Sequence, residues 1–161
     1  MELRATVITV SDEIARGADE NRAGPVAIDL LTRHGVAAEL VVVRDDRMAI
    51  EAAVRAAIAD GSRVVITSGG TGIGPADVTV DAVAPLLSYQ VPGICEEIRR
   101  RGATHVASAL VSREVAGVVL GEPSIFVLTA PGSRGGVRDA LEVVGPLLAH
   151  IVSQLDDAGH V

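Results

Sequence analysis

The sequence predicts an α/β protein, a three-layer α/β/α sandwich built on a mostly parallel open sheet with an antiparallel hairpin at one edge, in a single domain over residues 1–161. Three observations predict it. Runs rich in Val and Ile alternate along the chain with helical patterns, the sequence form of βαβ units. The central run, Val64-Val65-Ile66-Thr67, lacks the apolar/polar alternation of a half-exposed strand, as expected where both faces are covered. Hydrophobic residues make up 48% of the chain but aromatic residues only 1%, so the core must be built from Val, Leu, Ile and Ala. No repeat, linker or change of composition divides the 161 residues, a length that supports one proper core.

Residues 4–10 read as the first strand, ending at Ser11-Asp12, where polar residues at a strand's carboxyl end face the crevice of an open α/β sheet. Ile14 to Gly24 is polar and glycine-containing, the pattern of a mobile lid. Pro25 then suits a first helical turn; Ala27, Leu30, Leu31 and His34 recur at helical spacing, and Gly35 ends the helix. His34 belongs to the helix end. A second strand over 38–43 leads to Arg44-Asp45-Asp46-Arg47, with Asp45 or Asp46 as N-cap of a helix whose buried face carries Ile50, Val54, Ala57 and Ile58.

The third strand collapses into Ser68-Gly69-Gly70-Thr71-Gly72-Ile73-Gly74-Pro75-Ala76-Asp77-Val78-Thr79, with Thr79 placed to cap a helix from Val80 that buries Val83, Ala84 and Leu87. Pro92-Gly93 opens a helix through Arg101 whose acids come early and arginines late, the order that complements the helix dipole and reads as a solvated face. Cys95 reads as a small hydrophobe on this helix, and His105 has no evident partner. Strands over 115–120 and 124–130, joined at Gly121-Glu122-Pro123, form the hairpin. Pro131 to Gly136 is a second glycine loop, and Val137, Leu141, Val144, Leu148, Ile151 and Leu155 mark a closing helix that Pro146 kinks or divides. Residues 156–161 are expected to fray.

Bare backbone after a buried strand makes an anion site, because N–H groups can approach phosphate closely. A Walker A loop is excluded: it needs a lysine, and all fourteen basic residues are arginine. A dinucleotide fingerprint in Gly70-Thr71-Gly72-Ile73-Gly74 would follow the first strand and run straight into a helix, not follow the third and meet Pro75. A ligand-free turn needs neither the acid nor the hydroxyls. The net charge of −7 argues against sequence-independent nucleic-acid binding. No apolar run approaches the roughly twenty residues of a membrane span, no signal-like leader opens the chain, and a cytoplasmic location is expected. Carboxylates beside a phosphate cradle call for a divalent cation, magnesium being the natural choice.

Gly69 to Thr79 matches, position by position, the signature of the MogA/MoaB family of molybdenum cofactor biosynthesis. The resemblance continues in Thr9-Val10-Ser11-Asp12, Pro92-Gly93-Ile94-Cys95-Glu96-Glu97-Ile98-Arg99, Ser112-Arg113 with Ala116-Gly117, and Pro131-Gly132-Ser133, in the family's order over about residues 4–155. Asp46 matches one of the family's two functional aspartates. The late loop departs from the family's Pro-Gly-x-Pro with a nearby lysine, having Ser133-Arg134-Gly135-Gly136 instead.

The resemblance implies a molybdopterin adenylyltransferase, in which the terminal phosphate of molybdopterin attacks the α-phosphorus of MgATP and pyrophosphate leaves. It implies Asp46 and Asp77 as catalytic acids acting through magnesium. Gly69, Gly70, Thr71 and Gly72 would cradle the nucleotide phosphates, with Thr79 supporting their turn and Ser11 and Asp12 at the same edge. Ser112, Ser133 and Arg134 are the candidates for the pterin phosphate. It also implies a homotrimer and a downstream molybdate-insertion protein as partner. Two alternatives stand beside this one: a molybdopterin-binding or carrier module without catalysis, and a nucleotide-binding domain with another acceptor.

Overall fold

The structure is a computed structural model that describes residues 2–157. Six strands, β1 (Leu3–Val10), β2 (Val36–Val43), β3 (Val64–Ser68), β4 (Tyr89–Gln90), β5 (Ala116–Val119) and β6 (Ile125–Ala130), form one sheet in the order β2-β1-β3-β6-β5-β4. β2, β1, β3 and β6 run parallel, with Val10 opposite Val43, Thr9 opposite Ser68 and Ser68 opposite Ala130. Their carboxyl ends therefore lie along one edge. The chain leaves β1 outward to β2 and returns on the other side as β3, so strand order reverses at β1, where open α/β sheets bind ligands.

The helices are α1 (Asp12–Ala15), α2 (Ala23–Arg33), α3 (Arg47–Ala59), α4 (Thr79–Val83), α5 (Pro92–Ala103), α6 (Arg134–Val144) and α7 (Leu148–Leu155), with short 3-10 turns after α4, α5 and α6. Alternate residues of each central strand enter opposite cores, as the two-residue period of a strand requires. Val7, Ile66 and Leu128 pack with Leu31 of α2, Ile98 of α5 and Leu141 of α6. Ile8, Val65 and Val127 pack with Ile50 and Val54 of α3 and Val83 of α4. Helices thus cover both faces, the expected three layers. Among the described residues no helix is long and apolar enough to cross a membrane.

Several elements differ from the sequence reading. The β5–β6 hairpin is antiparallel, with Gly117 opposite Val127, but it is not the edge. β4 lies outside it, held by Ser88 N–H to Val118 O and Val91 N–H to Ala116 O, both 2.7 Å. Two residues are too short a strand to leave a periodic signal. The strand expected over 115–120 ends at Val119, leaving Leu120 exposed. The lid over 14–24 begins within α1, which Ser11 caps, and its far end is tied down. There the Asn21 side chain accepts from Gly24 N–H and donates to Thr9 Oγ1, each at 3.0 Å.

Thr79 is not the cap of α4. It is the first helical residue, Val78 holds the capping position without a side-chain bond, and Thr79 Oγ1 is buried against Gly70. Pro146 divides the closing helix at the turn Gly145–Leu147. Of the tail expected to fray, Asp156 is held by Arg63 at 2.6 Å, and residues 158–161 lie outside the described residues.

Candidate functional site

Four loops meet at the carboxyl edge of the parallel strands, following Val10, Val43, Ser68 and Ala130. The loop after β3 is shaped by backbone requirements. Gly69 has φ +107 and its missing Cβ would fall 2.5 Å from Val10 O; Gly70 has φ +68 and a Cβ there would strike Thr79 Oγ1. Only glycine meets both conditions, since a positive φ is strained for other residues and no space exists for a side chain. Gly69 N–H donates to Ala130 O at 3.0 Å and Gly132 comes against Gly69, which joins the two glycine loops.

Arg113 clasps the outer half of this loop. Its Nε donates to Gly72 O and its Nη2 to Asp77 O, both at 2.9 Å, while Nη2 also meets Asp81 Oδ2 at 3.2 Å. That guanidinium holds the exposed Asp81 carboxyl below the usual carboxylate range. Backbone N–H of Arg113 donates to Thr71 O at 2.7 Å and Ser112 Oγ lies 3.1 Å from Thr71 Oγ1. One short segment thus fixes the loop at four points.

The acids fall into distinct settings. Asp77 Oδ2 accepts from Gly74 N–H at 3.0 Å, closing the turn, and leaves no room for a side chain at Gly72. Asp46 is the N-cap of α3, its Oδ2 accepting from Ala49 N–H at 2.9 Å. Asp12 and Asp45 exchange bonds across the loops after β1 and β2: Asp12 N–H donates to Asp45 Oδ2 at 3.0 Å and Asp45 N–H to Asp12 Oδ1 at 2.9 Å. Burial raises the Asp45 carboxyl above its ordinary range, and the charges of Asp12, Glu13 and Asp77 add to this. Asp77 therefore stands within electrostatic reach of the Asp12–Asp45 pair. Among the described residues no group of three or more His, Cys, Asp and Glu side chains is arranged to hold a metal by protein ligands alone.

Two cavities flank the glycine loop. The larger, about 730 Å³, lies between the loop and helices α5 and α6; Thr71, Gly72, Ser112 and Ser133 line it, with apolar walls from Ile98, Val106, Val111 and Pro131. The smaller, about 410 Å³, lies on the β1 side and is lined by Ser11, Gly69, Gly70, Ser133 and Arg134, and by the run Asp19, Glu20, Asn21 and Arg22. Ser133 borders both. Its Oγ also caps α6, accepting from Gly136 N–H at 3.0 Å. Arg134 is placed with Gly69 and Gly70, whereas Ser112 is on the far side of the loop with Thr71 and Gly72. Asp12, Asp46, Asp77 and Thr79 line neither cavity.

Sequence reasoning missed three residues here. Arg113 belongs to a motif without a role, Asp45 stands beside Asp46 as helix cap and crevice acid until the resemblance favours Asp46, and Glu114 is not singled out. Glu114 is 3% exposed and lines the larger cavity; its one signal is an acid placed directly before the apolar run that becomes β5. Arg99, read as part of a solvated face, instead has Nη1 donating to Glu114 O at 3.1 Å. His105 has a neighbour after all, Asp139 at 4.0 Å. Cys95 is buried as expected, which pushes its thiol up to about 12.

The sequence model of the family described as "Probable molybdopterin binding domain" matches residues 6–150. The chain is 36% identical over 158 residues to a "Molybdenum cofactor biosynthesis bifunctional protein" of Chlorobaculum tepidum, covering 98% of this chain but 50% of that protein, so it spans about half the relative's length. It is 35% identical over 148 residues to a "Molybdopterin adenylyltransferase" of Pyrococcus furiosus, covering 91% of this chain and 87% of that one. Among solved structures, a molybdopterin biosynthesis protein from Mycobacterium abscessus superimposes with a TM-score of 0.90 at 38% identity, covering 98% of this chain and 99% of that one.

Proposed function

The chain belongs to the molybdopterin-binding family of molybdenum cofactor biosynthesis, and on that premise we propose that it is a molybdopterin adenylyltransferase acting with MgATP. The observation that carries this reading is the pair of cavities meeting at the glycine loop. One has apolar walls suited to a flat ring, and the other is lined by glycine backbone with Arg22 and Arg134, and by Asp19 and Glu20. Two substrates bound side by side would bring their phosphates together at Ser133.

In the proposed reaction an oxygen of molybdopterin's terminal phosphate attacks the α-phosphorus of ATP. A new P–O bond forms, the bond from that phosphorus to the bridging oxygen breaks, and pyrophosphate leaves with the electron pair. The attacking phosphate is already ionised, so positioning and charge neutralisation matter more than a strong base. Gly70 presents backbone to the nucleotide phosphates, with Arg134 and Ser11 beside it, while Gly69, whose N–H is held by Ala130 O, shapes the turn; Thr71, Gly72, Ser112 and Ser133 face the pterin side. Thr79 supports the turn through its contact with Gly70.

The donor set fits magnesium carried mainly by phosphate oxygens, since acids crowd one another around Asp45 yet no three of the described residues form a cage. Asp77, whose charge reaches Asp45, and Asp46, carried over from the resemblance alone, are its proposed protein ligands, and the ion would supply neutralisation of the phosphate charge. In the test, wild type incubated with molybdopterin, ATP and magnesium releases pyrophosphate. Asp77→Asn, whose amide oxygen can still accept from Gly74 N–H, loses release by at least 100-fold, on the order of an electrostatic contact removed at the reacting group, while still binding molybdopterin. Full turnover by Asp77→Asn removes Asp77 from the mechanism.

A second reading, a molybdopterin carrier without catalysis, is favoured by one observation: Asp46 is already engaged as a helix cap. Under that reading wild type binds molybdopterin and releases no pyrophosphate.

A further inference from the structure

Among the described residues three buried side-chain oxygens have no hydrogen-bond partner: Thr67 Oγ1, Thr79 Oγ1 and Glu114 Oε2. The carboxylate is the costly one, because an unpaired buried charge forfeits far more hydration than a hydroxyl does. Arg99 does not resolve it. Its Nη1 is 3.9 Å from Glu114 Oε1, beyond hydrogen-bonding distance, and is committed to the backbone oxygens of Ser112 and Glu114. Of the cavity's other carboxylates, Glu142 meets Arg101 at 3.3 Å and Asp139 lies 4.0 Å from the His105 ring. Glu114, with the Ser112 hydroxyl beside its carboxyl, thus lines a cavity of about 730 Å³ with one oxygen, Oε2, that lacks a donor.

Resting on the reading that molybdopterin is the ligand, we propose that Glu114 is the residue that reads the pterin ring. Its carboxylate accepts from the ring N–H and the exocyclic amino group on the 2-amino-4-oxo edge. Only N–H or O–H donors satisfy a buried carboxylate, and that edge presents two side by side. The same charge repels phosphate, which orients the ligand: the ring edge goes toward Glu114, and the phosphate end toward Ser133 and the glycine loop. Ile98, Val106, Val111 and Pro131 supply apolar contact for the ring. Burial holds the free carboxyl up at about 7 against the opposing pull of Arg99 and of the Ser112 hydroxyl, with the charge of Asp139 adding to the rise. Donors from a ring would favour the ionised form.

The chain contains no tryptophan, so pterin fluorescence can be followed directly in equilibrium titrations of the full chain. Three probes are compared on wild type and Glu114→Gln: molybdopterin, simple pterin, and 4-oxopteridine, which lacks the 2-amino group. Wild type is expected to favour pterin over 4-oxopteridine by roughly tenfold or more, the worth of a charge-assisted hydrogen bond. Glu114→Gln, which offers only one acceptor, should bind pterin roughly tenfold more weakly and lose the preference. A thermal melt at or above that of wild type shows that the variant is folded. As a second readout, the wild-type preference should shrink as pH falls below about 7.

A preference retained in Glu114→Gln, or absent from wild type, overturns the assignment. Molybdopterin binding equally to both proteins overturns it too and leaves the proposed function standing, whereas molybdopterin binding to neither overturns the proposed function itself.

Discussion

Glu114 and Asp77 are acids on either side of Arg113, and what each can do follows from how much water reaches it. Burial of Glu114 raises its carboxyl from 4.5 to about 7, with Arg99 and the Ser112 hydroxyl opposing and Asp139 adding to the rise; Cys95, facing it from α5, stays a neutral thiol. Between those two values the folded protein keeps a proton that the unfolded chain has released, so stability is greatest at low pH within this window and declines as pH rises through about 7. The shift corresponds to about 3 kcal/mol at most. Urea midpoints measured from pH 4.5 to 8 should fall for wild type, and Glu114→Gln should remove that slope. A parallel slope in both proteins would assign it to other groups. Asp77 is spent differently: its carboxylate closes a turn through Gly74 N–H, so the amide variant is the one that tests charge without disturbing shape.

Three elements begin with a side chain that is also a candidate ligand. Ser11 caps α1, Asp46 caps α3 and Ser133 caps α6, each by accepting from a backbone N–H three residues on. A cap at a strand's carboxyl end sits at the ligand crevice by construction, because parallel strands deliver every following helix start to the same edge. Structural and chemical roles can be separated at Asp46. Asp46→Ala should lower unfolding free energy by about 1 kcal/mol through the lost cap. Asp46→Asn keeps an acceptor for Ala49 N–H and should unfold like wild type while pyrophosphate release falls. Equal release by Asp46→Asn and wild type would leave Asp46 as a cap and nothing more.

Across the molecule, the two cores seal β1, β3 and β6, but β2 stands at an edge with Leu40, Val41 and Val42 each nearly 40% exposed. An open edge bearing apolar side chains invites pairing with another chain. We propose that this edge serves the homotrimer expected from the resemblance. Sedimentation of the 16.5 kDa chain should give a species of three chains, and a monomer would remove trimer formation from the reading.

Most of the layered architecture was legible in the sequence. The runs at 4–10, 38–43 and 64–68, the helix punctuation at Gly35 and Pro146, and the glycine loop all depend on each residue's near neighbours: a two- or 3.6-residue period, a missing N–H, a φ that only glycine adopts. The two-residue β4 was illegible because its only support is the hydrogen-bonding edge of β5, and Thr79 misled because a hydroxyl before an apolar run looks like a cap wherever the helix starts. What the sequence determined by itself, then, was the order of the longer strands and helices and the position of a turn that only glycine can make. Tertiary structure alone decided that Asp12 meets Asp45 33 residues away, that Arg113 grips Gly72 and Asp77, and that Glu114 is dry. Periodicity is written into local chemistry, whereas pairing and desolvation arise only when separate strands come side by side and exclude water between them.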